Sequence, residues 1–419
     1  MRIQLTSGVF LNVLSTNQFK TTRVAIHFIA PARAQDFAAR TLLTSVLETS
    51  SAKYPTQSDL SAALEAMFGA SFGIGVAKTG AVHRVTATLN LVADKLAQVP
   101  LLAQGFDLLH EVLLEPKLVG NQFDPEVFDR EQKNLAAYLG SMDEDRQLQA
   151  SLATQRLYFQ GNDAQATPSF GTLRQLTAVT QARLMAVYQD MLRHDQIEIV
   201  VLGDVTEEQV VPLAKQLGFA ARPEPAFALI YRQPDAPVRQ ETVSAHVNQA
   251  KLNLAYTTPS DLYGRQFYAN VVANELFGGS PLSLLFTNVR EKASLAYYAS
   301  SMFEPFRQFS MVQTGIDAVN RDQVQQLIAD QLAKVADGAF SAELLAHIKE
   351  GLLNARQAAY DSPQFLARQE LLHALVPTHQ PGYAAYAAAI TAVTKQEVMA
   401  AAAAMKLQAV YFLDEQEAN

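Results

Sequence analysis

The chain contains no cysteine, and that absence excludes disulfides, iron–sulfur clusters and thiolate zinc sites. Nothing in it points to an oxidising compartment. Positive charge is also scarce. The 33 Lys and Arg stand against 41 Asp and Glu, for a formal charge of −8, and no basic face is interleaved with aromatic residues. A nucleic-acid groove needs such a face to neutralise phosphates, so no nucleic-acid partner is expected. Long apolar runs are missing too. The opening MRIQLTSGVFLNVLST has no basic stretch leading into an apolar core, and it lacks the roughly 18 successive apolar residues that span a bilayer. A cytoplasmic protein without a membrane partner is the expectation.

What is present is enough apolar material for ordinary cores: 49% of 419 residues, with 22 Phe and 14 Tyr. A chain of this length exceeds the size at which a single core stops growing, so two domains are expected. Strict alternation in residues 22–31 (TRVAIHFIAP) and 83–91 (HRVTATLNL) reads as half-buried strands. Amphipathic runs over residues 37–49, 57–67, 101–113, 180–192 and 207–217 read as helices, and residues 197–202 as a strand closed by Gly203 and Asp204. The class is α+β.

The second half repeats the first in order. TTRVAIHFIAP (21–31) overlays QAKLNLAYTTP (249–259) without a gap. LTAVTQARLMAVY (176–188) overlays ITAVTKQEVMAAA (390–402), and each is followed by a strand ending in Asp, IEIVVLGD (197–204) and LQAVYFLD (407–414). An internal duplication follows. Residues 220–238 lie between the copies and contain Pro223, Pro225, Pro234 and Pro237, so they cannot form a continuous helix or central strand. The expected division is therefore an N-terminal lobe 1–219, a linker 220–238 and a C-terminal lobe 239–419.

Chemistry is harder to find. A hydrolytic zinc site on a helix needs two ligands at i and i+4 and a carboxylate beside them. The eight histidines, His27, His83, His110, His194, His246, His347, His373 and His379, include no such pair. His373 and His379 come nearest, but Pro377 separates them. His110 with Glu111, and His347 with Glu350, lack a second histidine and read as solvated or capping side chains. There is no Gly-x-Ser-x-Gly elbow, no P-loop after Phe277-Gly278-Gly279-Ser280, and no third glycine beyond Gly73 and Gly75 for a dinucleotide fingerprint.

Two segments carry a family resemblance. LFGGSPLSLLFTNVREKASLAYY (276–298) closely resembles the second-half signature of the insulinase, pitrilysin and mitochondrial processing peptidase family: a glycine-rich turn, S-x-L-F, V-R-E-K and L-A-Y. In the first half, ARTLLTSVLETSSAKYPT (39–56) resembles the segment in which active relatives carry H-x-x-E-H. There Ser45 and Thr49 occupy the histidine places and Glu48 keeps the glutamate. Active relatives add a glutamate ligand from a later helix. FDREQKNLAAYL (128–139) is similar to that region, with Ala137 or Tyr138 in the ligand place. By itself Glu48 reads as an ordinary solvent-facing glutamate.

The resemblance implies two duplicated lobes, each a mostly antiparallel mixed sheet flanked by helices, around a chamber. It implies that Arg290 and Tyr297, with Gly278 and Gly279, bind a peptide substrate and a developing oxyanion. Leu284 departs from the basic residue many relatives carry in S-R-L-F. Without cooperation from other residues Arg290 reads as a helix-end ion pair and Tyr297 as a half-buried strand aromatic. Such a chain is similar to the non-catalytic members of Gram-positive bacteria. It holds no cofactor, with zinc expected only in a zinc-bearing partner subunit of the same family. The alternatives are an active zinc-dependent metalloendopeptidase with atypical ligands, and a peptide-binding or structural homodimer.

Overall fold

A computed structural model of the chain describes residues 2–224, 228–245, 247–379 and 382–415, so that Pro225 and His246 lie outside the described residues. In the first sheet the strands are β1 (Arg2–Thr6), β2 (Val9–Ser15), β3 (Thr21–Pro31), β4 (Ser71–Thr79) and β5 (Val82–Val92). A two-residue pair, β6 (Leu118–Val119) and β7 (Gln122–Phe123), stands apart, and β8 (Gln196–Gly203) completes the sheet. Its order is β1-β2-β8-β3-β5-β4, antiparallel throughout except for β2 beside β8. The second sheet is built from β9 (Arg239–Ala245), β10 (Ala250–Thr257), β11 (Ala296–Glu304), β12 (Phe309–Ile316) and β13 (Lys406–Glu415), in the order β11-β12-β10-β13-β9. Again one pair is parallel, β13 beside β9.

Read from the parallel edge inward, both sheets follow one plan. β2-β8-β3-β5-β4 corresponds to β9-β13-β10-β12-β11. The duplication extends to single residues: Phe28 faces Ile197 across β3 and β8, and at the matching places Tyr256 faces Leu407 across β10 and β13. It extends to helix starts as well. In the two matched LTAVT and ITAVT segments, Thr180 accepts a hydrogen bond from the Arg183 amide at 3.2 Å and Thr394 from the Glu397 amide at 3.3 Å. Each caps the helix that follows, Gln181–His194 and Lys395–Ala403, by satisfying an amide that has no partner inside the helix.

The compact units do not coincide with the covalent halves. One comprises Met1–Ser141, Thr167–Ala228 and Ser362–Leu375, and the other Met142–Ala166, Leu229–Asp361 and Val376–Asn419. The expected lobe limits at 219 and 239 thus describe the repeat, while each unit also holds a helix contributed by the opposite half. Helix Arg146–Tyr158 lies on β10 and β13 of the second unit, and helix Pro363–Leu375 on β8 and β2 of the first. Chemistry pins the first of these. Tyr158 is fully buried with its hydroxyl 2.9 Å from Thr257 Oγ1, and Phe159 packs on Phe309 with ring centroids 5.3 Å apart. Burying two such rings stabilises the docking by roughly 2–3 kcal/mol each.

The exchanged helices correct one sequence expectation. Alternation in residues 22–31 predicts a half-buried strand, yet β3 is buried from Val24 to Ile29, as its neighbour β8 is along its whole length. The core-facing set Val24, Ile26 and Phe28 meets the unit's own helices, while the helix Pro363–Leu375 covers much of the opposite face. In the second unit the corresponding apolar face, Leu252, Leu254 and Tyr256, packs with Leu276, Phe277, Leu285 and Val289. Among the described residues no helix is long and apolar enough to cross a membrane.

Candidate functional site

Helix Ala34–Thr49 is buried on every side from Phe37 to Thr44 and again at Val46 and Leu47; Phe37, Leu42, Leu43, Val46 and Leu47 are essentially inaccessible. Ser45, Glu48 and Thr49, near its C-terminal end, are half-buried. The Thr49 hydroxyl turns back on its own helix, donating to the carbonyls of Ser45 at 3.0 Å and Val46 at 3.3 Å. Helix Pro125–Ser141 packs against this one and buries Glu131, which is 6% exposed, whereas Ala137 and Tyr138 are exposed, Tyr138 by 59%. Zinc takes imidazole, thiolate or carboxylate ligands. Two hydroxyls, one already committed to the helix, with a methyl group or a phenol in the third place, do not fit it. Among the described residues no group of three or more His, Asp or Glu is placed to hold a metal ion. No step of chemistry is therefore assigned through zinc in this chain.

Glu48 differs from the sequence expectation. Rather than facing solvent, its carboxylate accepts a hydrogen bond from the Ile74 amide at 3.3 Å. β4 is the rim strand of its sheet, with β5 on one side only, so Glu48 occupies one of the amides along a free edge. Burial pushes the Glu48 carboxyl above its ordinary range, the Ile74 amide opposes that, and the nearby Glu131 adds to it. Sequence alone has no signal for this contact, because nothing in the spacing of residues 48 and 74 sets the helix against the strand.

The histidines are absorbed individually. His83 is buried, stacks on Phe37 at 4.5 Å and approaches the Ser169 carbonyl through Nε2 at 2.8 Å. Burial, with Arg40 adding to it, pushes its imidazole down to about 3. His194 pairs with Asp190 at 2.8 Å. His373 and His379, the nearest pair in sequence, fall in different compact units. Glu111, beside His110, caps a loop as expected, accepting from Ser51 Oγ at 2.8 Å and the Lys53 amide at 2.6 Å.

In the second unit the signature segment is mostly core. A widened helical turn, Glu275–Gly279, leads through Ser283 to a second, Leu285–Lys292, and then to β11. Leu276, Phe277, Leu285 and Val289 are buried, and so is Leu284, the residue that departs from the resembled S-R-L-F pattern. Gly278 lies against β11 so closely that a Cβ would come within 2.8 Å of the Ser301 amide nitrogen, and Gly279 is exposed, with Glu275 and Asn274 beside it. Arg290 and Tyr297 are brought together. Arg290 Nε donates to the Tyr297 carbonyl at 3.1 Å, its guanidinium lies 4.5 Å over the Phe286 ring, and Nη1 pairs with Glu291 at 3.3 Å. The Tyr297 hydroxyl donates to Asp317 at 3.2 Å, and the ring is 56% exposed rather than half-buried. These two side chains present a cation and a phenol at the surface of the unit, donors suited to an anionic oxygen.

Comparison with known proteins agrees with this arrangement. Residues 178–352 match the family model described as the peptidase M16 inactive domain. Along 97% of the chain and 96% of the relative, the sequence is 30% identical to the "Probable inactive metalloprotease YmfF" of Bacillus subtilis. A second Bacillus subtilis relative, the "Uncharacterized zinc protease YmxG", is 24% identical over 48% of the chain and 49% of its own length. Among solved structures, that of a conserved protein from Enterococcus faecalis superposes with a TM-score of 0.96 at 42% identity, covering 100% of this chain and 99% of that one. The chain belongs to the peptidase M16 family, the insulinase and pitrilysin peptidases that its motifs resemble, as an inactive homologue.

Proposed function

We propose that this chain is the non-catalytic subunit of a cytoplasmic peptide-processing pair, working beside a zinc-bearing relative. The observation that carries the reading is the contrast within one chain: Tyr297 stands exposed and Arg290 half-buried beside it on the signature segment, while Ser45, Thr49 and Ala137 or Tyr138 fill the ligand places. Support also comes from Bacillus subtilis, which holds one relative named as an inactive metalloprotease and another named as a zinc protease. On this reading the partner supplies the metal and the attacking water. This chain supplies a guanidinium and a phenol that stabilise negative charge developing on the peptide carbonyl, an interaction worth more in the transition state than in the ground state. A free sheet rim such as β4 or β11 offers unpaired amides and carbonyls to an extended peptide. Gly278 and Gly279 hold the turn that sets Arg290.

The test is reconstitution. The purified chain is assayed for zinc by elemental analysis and for peptide cleavage alone, then mixed with its zinc-bearing relative. Cleavage only in the mixture is expected, and Arg290→Ala should lower it by about 100-fold, as removal of an oxyanion donor does. Chelator-sensitive cleavage by the chain alone, with about one equivalent of zinc, would overturn the reading in favour of an atypical zinc endopeptidase. Self-association with no activity in the mixture would favour a peptide-binding or structural homodimer.

A further inference from the structure

Arg23 on β3, Arg84 on β5 and Arg368 on the helix Pro363–Leu375 line a single cavity of about 300 Å³ within the first unit. His27, Thr86, Thr88 and Gln364 complete its polar lining, and no carboxylate is among the lining residues. Among the described residues the three guanidiniums are also without acidic partners elsewhere. Arg23 has the neutral Asn90 side chain instead, with Nη1 donating to Oδ1 at 2.8 Å. The Nε atoms of Arg23 and Arg84 are shielded from solvent with no acceptor. A buried donor without an acceptor is costly, and three like charges converging without a counter-charge add to that cost.

Neighbouring groups register the same field. Burial and the positive charge of Arg368 push the Arg84 guanidinium down to about 10. Burial, then Arg84 and Arg23, hold the His27 imidazole well below its ordinary value, so that His27 is neutral and shares a 2.9 Å hydrogen bond with Thr86 Oγ1. On the β4 wall Gly73 and Gly75 keep the mouth wide: a Cβ at Gly75 would meet nothing within 4 Å. A guanidinium presents a rigid fork of donors that matches the planar oxygens of a carboxylate or phosphate.

We propose that the cavity formed by Arg23, Arg84 and Arg368 binds a small polyvalent oxyanion, a phosphate or polycarboxylate, whose oxygens satisfy the donors that the fold leaves open. Its size suits a free small molecule, at the lower end of the range for ligand pockets. Three cations require an anion of more than one charge to balance them. The site is distinct from the Arg290 and Tyr297 segment and does not depend on any partner subunit.

The experiment is calorimetric titration of the isolated full-length chain with inorganic phosphate, with citrate, and with a Glu-rich peptide, at low ionic strength. One equivalent of phosphate or citrate is expected to bind. Arg84→Gln and Arg368→Gln should each weaken it about tenfold or more, the size of a lost charge-assisted contact. Arg368 is exposed on its helix, so its variant keeps the fold even if Arg84→Gln does not. As an independent readout, the His27 imidazole followed by NMR should titrate at higher pH once the anion is bound. Absence of binding by both small anions, or binding unchanged in Arg368→Gln and a His27 titration that does not move, would overturn the proposal. So would binding confined to the acidic peptide. Because every arm uses the chain alone, failure here leaves the subunit-pairing reading standing, and failure of reconstitution leaves this site standing.

Discussion

The two units share a five-strand plan and differ in what their functional segments are made of. In the first unit the motif positions Ser45, Glu48 and Thr49 are half-buried near the C-terminal end of a helix whose packing is carried by Phe37, Leu42, Leu43, Val46 and Leu47. Ligand-type residues can be exchanged there with little consequence for the core. In the second unit the signature is itself core, since Leu276, Phe277, Gly278, Leu285 and Val289 close the packing under β11. Most of that motif is held by its contribution to stability. Tyr297 is exposed and Arg290 half-buried, outside the packed set, and so these two carry the functional argument.

The strongest way to break this comparison is at its centre. Phe28→Ala and Tyr256→Ala remove matched buried rings from β3 and β10, and each is expected to lose about 3–5 kcal/mol in chemical denaturation. A large loss at only one of them would undo the equivalence of the sheets. Next in size is Gly278→Ala, which forces a Cβ toward the Ser301 backbone, with an expected loss of about 1–3 kcal/mol measured the same way. Gly75→Ala in the first unit, with open space around it, should be close to neutral.

Acid response separates the units further. The folded-state value of His83 is lowered to about 3 from an ordinary 6.5, so the unfolded chain binds the extra proton. Its contribution is therefore intact above pH 6.5 and is lost progressively as pH falls toward 3. At the corresponding place of the second unit stands Gln308, opposite Thr258 as His83 is opposite Ala30. His83→Gln should flatten the fall in stability across that pH window, read from denaturation midpoints at successive pH values. The smallest effects belong to the functional positions. Ser45→Ala, Thr49→Ala and Tyr297→Phe should each change stability by no more than about 0.5 kcal/mol in thermal melts.

Much of the fold was legible in advance because hydrophobic period and turn chemistry are local. Residues 37–49 read as a helix and form Ala34–Thr49, and residues 83–91 read as a strand and form Val82–Val92. The paired Thr180 and Thr394, seen as repeated letters, are paired helix caps. The site was legible only in part. The missing histidine pair and the 276–298 segment are visible as residue types, whereas the Ile74 amide on Glu48 and the burial of Leu284 are not.

The sequence by itself determined the strand and helix periods, the duplication, the loss of ligand chemistry at Ser45 and Thr49, and the presence of Arg290 and Tyr297. Only the tertiary structure decided that helix Arg146–Tyr158 belongs to the second unit and Pro363–Leu375 to the first, and that Arg23, Arg84 and Arg368 converge on one cavity. The reason is physical. An amphipathic pattern specifies which face of an element must be covered but not which sheet will cover it, and isolated arginines far apart in the chain acquire a common field only when packing brings them together.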